Sequence, residues 1–143
     1  MKLRRLAARS FAYTWAMPNT LIGMVLGFVM LCFAGRCRFV AGATEFYGGL
    51  SSRVFTRIFG SRCFSAVTLG HVILGVDQAD ITILRDHEHV HIRQYERWGM
   101  FFIPAYCLSS LWQVIHGRSW YRNNFFERQA YAIDAIECTS RRV

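Results

Sequence analysis

Residues 98–117 read WGMFFIPAYCLSSLWQVIHG, and how this stretch folds decides the architecture. It carries no Asp, Glu, Lys or Arg before Arg118. At 1.5 Å per residue, about 20 such residues cover a hydrocarbon core of about 30 Å, so the run is long enough to be a span. It also divides easily. Gly99 and Pro104 can turn the chain, and a helix from Pro104 to His116 then descends about 18 Å. Its flanks choose between these forms. Upstream stands Asp86-His87-Glu88-His89-Val90-His91-Ile92-Arg93-Gln94-Tyr95-Glu96, and downstream Asn123-Asn124-Phe125-Phe126-Glu127-Arg128-Gln129-Ala130-Tyr131. A span would hold Glu127 about 30 Å from His87 and His91. A hairpin, rising about 15 Å from His87 to Arg97 and returning over a similar length, brings Glu127 back to their level. The matched lengths predict the hairpin.

His87-Glu88-x-x-His91 has the spacing at which two imidazoles stand one above the other on one helical face, so both can approach one ion. Neutral histidines bind zinc at about 2.0–2.1 Å, and Glu88, about a quarter-turn away, can reach a water at the metal as general base. Three of the five histidines fall within 87–91, so an i,i+4 pair by itself is a modest signal. A third ligand has to come from elsewhere, and Glu127 is the candidate. Without a metal, Glu127 is a carboxylate at a helix start, which the dipole favours.

The surrounding composition is greasy and basic together: 53% hydrophobic, 15% aromatic, net charge +8. That combination suits contact with anionic membrane lipid. Nucleic-acid binding is not expected, because the arginines are scattered along the chain and not gathered between exposed aromatics. At 143 residues one domain is expected, behind an N-terminal segment. Cys32, Cys37, Cys63, Cys107 and Cys138 form no CxxC and are odd in number, so neither a disulfide framework nor a cysteine metal site is predicted.

Lys2, Arg4, Arg5 and Arg9 precede a run without charge from Phe11 to Ala34, followed by Arg36 and Arg38. Residues 1–37 are read as a basic N-terminus and membrane anchor whose uninterrupted helix begins near Pro18. The competing reading is a cleaved signal peptide, but no small-x-small site followed by a mature-looking sequence lies near Ala34. Arginines at both ends specify the orientation weakly, with a lean towards a cytoplasmic N-terminus.

Residues 38–143 are expected to form the domain. Phe39–Gly49 reads as a strand or irregular segment ending at Gly48-Gly49. Residues 51–61 read as a short amphipathic helix, resting on a membrane or on the core. Phe64–Val76 reads as one strand, whose exposed edge can bind an extended peptide. The motif helix is expected over Thr82–Arg97 with Asp80 or Thr82 as N-cap. His87, His91, Gln94 and Trp98 share a face, which leaves His89 solvated. The fold class is therefore α+β and mainly helical: an N-terminal membrane helix, short strands, the HExxH helix, a returning membrane-embedded hairpin at 98–117, and a third helix carrying Glu127.

With both motifs in place, the chain resembles the gluzincins, zinc metalloproteases that take two histidines from HExxH and a glutamate from a following helix. Asn124-x-x-Glu127-x-x-Ala130 is similar to the N-x-x-E-x-x-A-D signature of their membrane-bound members. The short intervening segment and His87–Gln94 resemble minimal gluzincins with HExxHxxQ. It also resembles an uncharacterised family of small membrane proteins with PNT, TLGH, HExxHxRQYExWG and NxFExxAY signatures. The resemblance covers about residues 66–131. It implies Zn²⁺ as cofactor, His87, His91 and Glu127 as ligands, and Glu88 as base. Tyr131 stands where the membrane-bound gluzincins have aspartate, and is expected to act catalytically by donating a hydrogen bond to an oxyanion or ligand. His71, Gln94 and Asn124 are expected to support the ligands by hydrogen bonds.

The function these residues point to is zinc-dependent hydrolysis of a peptide or protein substrate at a membrane. The alternative is a non-catalytic integral membrane protein with a structural or sensory metal, closed by a fourth ligand such as His71, His89 or Tyr131. A two-span protein without metal would place Glu127 across the bilayer from the histidines. Substrate and oligomeric state have no signal in the sequence.

Overall fold

The computed structural model describes the backbone of residues 2–50, 57 and 65–140, and the side chains of 12–50, 57 and 65–133. Apart from residue 57, the amphipathic helix expected at 51–61 lies outside the described residues. The chain is mainly helical with one small mixed sheet. Its elements are α1 (Lys2–Cys32), β1 (Arg36–Val40), β2 (Ala43–Tyr47), β3 (Ala66–Leu69), β4 (Val72–Gly75), α2 (Gln78–Trp98), a 3-10 turn (Gly99–Phe101), α3 (Phe102–Ile115) and α4 (Phe125–Ser140).

The helix does not begin at Pro18; α1 starts at Lys2 and carries Pro18 inside it. An internal proline costs about 3 kcal/mol, and tertiary contacts on both sides of it outweigh this. Before it, Ala16 packs against Tyr95, Phe102 and Phe126. After it, the buried Asn19 donates from Nδ2 to the Gly99 carbonyl at 3.0 Å.

The expected single strand over 64–76 is two. Gly70, at φ +62, occupies the first of two turn positions between Leu69 and Val72 and folds the run into the β3–β4 hairpin. A side chain there would overlap Thr20 of α1. The segment ending at Gly48-Gly49 is likewise a hairpin, turning at Ala41 and Gly42, both with positive φ. The strand order is β1-β2-β4-β3, with β2 and β4 parallel and the other pairs antiparallel.

Alternation along the strands makes a layered body. Phe46 and Val72 point to α1, where Gly27 and Gly23 receive them. Ala43 and Ile73 point the other way, packing with Ile81 and Ile92 of α2. On that same face the fully buried Glu45 is bonded to both Arg38 and Arg85, so its charge is paired.

Helix α2 begins earlier than expected, with Asp77 as its N-cap in place of Asp80 or Thr82. Asp77 has extended backbone, and its carboxylate accepts the Asp80 N–H at 2.8 Å. Thr82 instead bonds back to the Gln78 carbonyl within the helix. The helix ends where Gly99 takes φ +57 and its N–H meets the Tyr95 carbonyl. The chain then reverses through α3 into α4, the hairpin that the matched lengths predicted.

Two helical stretches, Ala12–Cys32 and Gln78–Ile115, are long and apolar enough to cross a membrane. Gly99 divides the second of them into α2 and α3.

Docking of α1 should depend on its small residues. In Gly27→Leu the new side chain would enter the Phe46 ring, so a loss of about 1–3 kcal/mol in denaturant unfolding is expected. Val25→Leu on the exposed side should stay within about 0.5 kcal/mol of the parent.

Candidate metal centre

His87 and His91 sit one turn apart on α2 and are both buried. Their Nε2 atoms lie 3.2 Å from each other. The Glu127 carboxylate reaches them from the first turn of α4, with Oε2 3.3 Å from His87 Nε2 and Oε1 3.4 Å from His91 Nε2. Two ligands bound at about 2.0–2.1 Å with tetrahedral angles are about 3.3–3.4 Å apart. The His87–His91 separation matches that tetrahedral edge, and each of the two Glu127 oxygens stands at that distance from one of the histidines. A further sign is Glu127 Oε2, which is buried and has no hydrogen-bond donor although His87 is close. A buried carboxylate oxygen without a donor is costly, and a cation among the three groups removes that cost. The His87–His91–Glu127 group can therefore hold a metal ion.

The orientation of His91 is set from outside the cluster. Gln94 donates from Nε2 to the Phe126 carbonyl at 3.1 Å and to Gln129 Oε1 at 2.9 Å. With its amide so fixed, Gln94 Oε1 accepts from His91 Nδ1 at 2.9 Å, which leaves the lone pair on Nε2 facing the cluster. Gln94 thus bonds to His91 and also ties α2 to α4.

Glu127 is held by its helix and by a neighbour. Asn124, fully buried, caps α4 by accepting the Phe126 N–H, while its own amide donates to the Tyr106 carbonyl and to Ser110 Oγ. Asn124 therefore supports the ligand through the helix and not by touching it. Tyr106 does touch it, donating to Glu127 Oε1 at 2.8 Å. Burial alone would raise the Glu127 carboxyl. The adjacent His87, the positive charge that His91 carries when protonated, and the Tyr106 hydroxyl outweigh it and hold Glu127 below the ordinary carboxylate range.

Glu88 is buried beside the histidines, and its Oε2 accepts from Thr68 Oγ1 of β3 at 2.6 Å. Glu88, His91, Glu127 and Thr68 line one cavity of about 270 Å³, walled further by Phe102 and Tyr106. Tyr131 comes to the cluster through its ring, 4.8 Å from that of His87, while its hydroxyl meets Tyr121 at 3.4 Å. Burial, the Tyr131 hydroxyl and the Glu127 charge push the Tyr121 phenol far above its ordinary value, so it stays neutral.

Two histidines differ from expectation. His71 does not support the ligands: it lies in the β3–β4 turn, where its ring stacks on Tyr13 at 3.9 Å and Nε2 meets Glu96 at 3.2 Å. The turn at Gly70 carries it to the α1 side, away from the cavity. His89 is half-buried and not solvated, because β2 and the Arg38–Glu45–Arg85 group occupy its side of α2. Among the described residues neither joins the metal-holding group. Glu127 stands beside the histidines, which excludes the arrangement with a bilayer between them.

Sequence reasoning missed Thr68 and Tyr106. Thr68 belongs to the TLGH run, where its place before a glycine turn was the available signal. Tyr106 sits in an apolar run with nothing to mark it. No protein-family model, no curated protein and no solved structure matches this chain.

His87→Ala and Glu127→Ala are each expected to lose metal in a chelator-competition titration with Zn²⁺. Gln94→Leu should keep it with affinity lowered about 10- to 100-fold, since only the orienting hydrogen bond is gone. Equal affinities in all four proteins would dissolve the cluster as a metal site.

Proposed function

We propose that this chain is a membrane-associated zinc-dependent hydrolase of the gluzincin kind, acting on a peptide or protein substrate. The observation that supports this most is the convergence of the His87, His91 and Glu127 side chains beside a cavity that Glu88 also lines. The donor set favours zinc. Calcium prefers six to eight oxygens and magnesium a largely hydrated octahedron, whereas two imidazoles and one carboxylate beside a cavity suit a catalytic zinc site. Zinc held there supplies a Lewis acid that polarises a carbonyl and acidifies water.

The protein's own groups do the rest. Glu88 takes the proton from the attacking water and returns it to the leaving amine. The Thr68 hydroxyl holds one Glu88 oxygen in place, which keeps the carboxylate at a constant angle to the cluster. Strand β3 is an edge of the sheet and lines the cavity, so its main chain can pair with an extended substrate. Tyr131, against His87, and the neutral Tyr121 stand ready to donate to developing negative charge.

The other reading, a structural or sensory metal in a non-catalytic membrane protein, draws on the burial of all three ligands and of Glu88. A structural site is closed by a fourth protein ligand. Here the cavity adjoins the cluster in its place, and this favours hydrolysis. Membrane association is supported by the exposed apolar faces of α1 and α3, including Val25, Phe28, Leu108, Trp112 and Ile115.

Glu88→Gln should bind Zn²⁺ like the parent and lose hydrolysis of quenched fluorescent peptides by at least about 10²-fold. Thr68→Val should lose less, chiefly in kcat. Full turnover by a zinc-loaded Glu88→Gln protein would overturn the assignment of the base.

A further inference from the structure

We infer that α1 lies flat along one membrane surface and does not cross the bilayer, so that its apolar sides rest in lipid while the sheet and α2 stay on the water side. This rests on the membrane association proposed above.

Among its described side chains α1 buries a narrow stripe: Ala16, Asn19, Gly23 and Gly27, at spacings of three, four and four. At 100° per residue these fall within about 80° of the helix circumference. The remaining arc is apolar, with Leu21, Ile22, Val25, Phe28 and Val29 exposed in different directions. A core helix would be largely covered, but only 22% of the apolar window is buried.

The sheet and its adjoining turns flank α1 from Tyr13 to Phe33, while Ala16 and Asn19 of the stripe meet Tyr95 and Gly99. Gly42, in the β1–β2 turn, lies beside the Tyr13 hydroxyl, Gly23 meets Val72 and Leu69, Gly27 meets Phe46, and Gly49 meets the Phe33 carbonyl. From Tyr13 to Phe33 is about 30 Å of helix, the thickness of a hydrocarbon core. An upright α1 would therefore carry the sheet into the hydrocarbon with it. There the outer edge of β1, which no described segment pairs, would have no partner for its backbone groups. Open sheet edges do not occur in lipid. Arg38 and Arg85 on the far face would also sit at mid-depth. With α1 flat, edge and arginines are in water, and the helix sinks by about 5–10 Å, as interfacial helices do.

Charge agrees with this. Lys2, Arg4, Arg5 and Arg9 lie at one end of the apolar run and Arg36 and Arg38 at the other. An upright helix would put basic clusters on opposite sides, which specifies its orientation only weakly. A flat one keeps both clusters on the water side of one leaflet, with Lys2, Arg4, Arg5 and Arg9 near its headgroups.

The test uses vesicles of phosphatidylcholine and phosphatidylglycerol. Unlabelled protein should float with them, and external trypsin should release a fragment cut in both the Lys2–Arg9 and the Arg36–Arg38 clusters. Nitroxide labels at Thr14, Leu21, Val25 and Cys32, which share the side opposite the buried stripe, with the other native cysteines replaced by Ser, should report one depth within about 3 Å. An upright helix would instead make Leu21 and Val25 about 10 Å deeper than Thr14 and Cys32, and no molecule would be cut at both ends. That result overturns the flat orientation and leaves membrane association standing. Failure of the unlabelled protein to float overturns both.

Discussion

A carboxylate buried between two imidazoles is the constraint on which the rest of this structure depends. Glu127 is 3% exposed, and one of its oxygens has no donor. Such a group is tolerable only where neighbouring charge or a cation compensates its desolvation. The elements around it are arranged to keep it there. The α2–α3 reversal returns the chain to the level of the histidines, Asn124 pins the start of α4 to α3, and Tyr106 occupies the oxygen nearest that helix. Gln94 completes the frame by joining His91 to α4 on the far side. In each of these a polar side chain uses its N–H or O–H donors within the interior, which fixes the positions of His91 and Glu127.

Around this centre the molecule is built from two kinds of packing. Towards α2 the sheet presents aliphatic side chains and one paired carboxylate, as a soluble domain does. Towards α1 the contact is backbone-close, with glycines receiving Val72 and Phe46. Without a Cβ at Gly23 and Gly27 the strand side chains reach the helix backbone. The polar metal-holding face and the lipid-suited face thus meet within a few residues, and the cavity opens between β3 and the start of α3.

The pairing of ligands was legible in the sequence because it depends on helical periodicity and chain length alone. Four residues separate His87 from His91, and two helical segments of similar rise bring Glu127 back. The support of the site was less legible. Gln94 could be placed because it lies on the ligand face of the same helix, and Asn124 because it stands before a helix start. Thr68 and Tyr106 come from other elements, and only three-dimensional approach relates them to Glu88 and Glu127. The role expected of His71 failed for a similar reason. A positive φ at Gly70 turned an expected strand into a hairpin and sent the imidazole to Tyr13 and Glu96.

By itself the sequence determined the helical character of the chain, the returning hairpin and the identity of the three groups at its centre, all consequences of local periodicity and rise per residue. Only the tertiary structure decided where α1 begins, which way the strands pair, what holds the Glu88 carboxylate and how the apolar helix lies against the sheet. These depend on contacts between residues far apart in the chain, such as Asn19 with Gly99 and Thr68 with Glu88, whose energies outweigh the local preferences of proline, glycine and strand-forming runs.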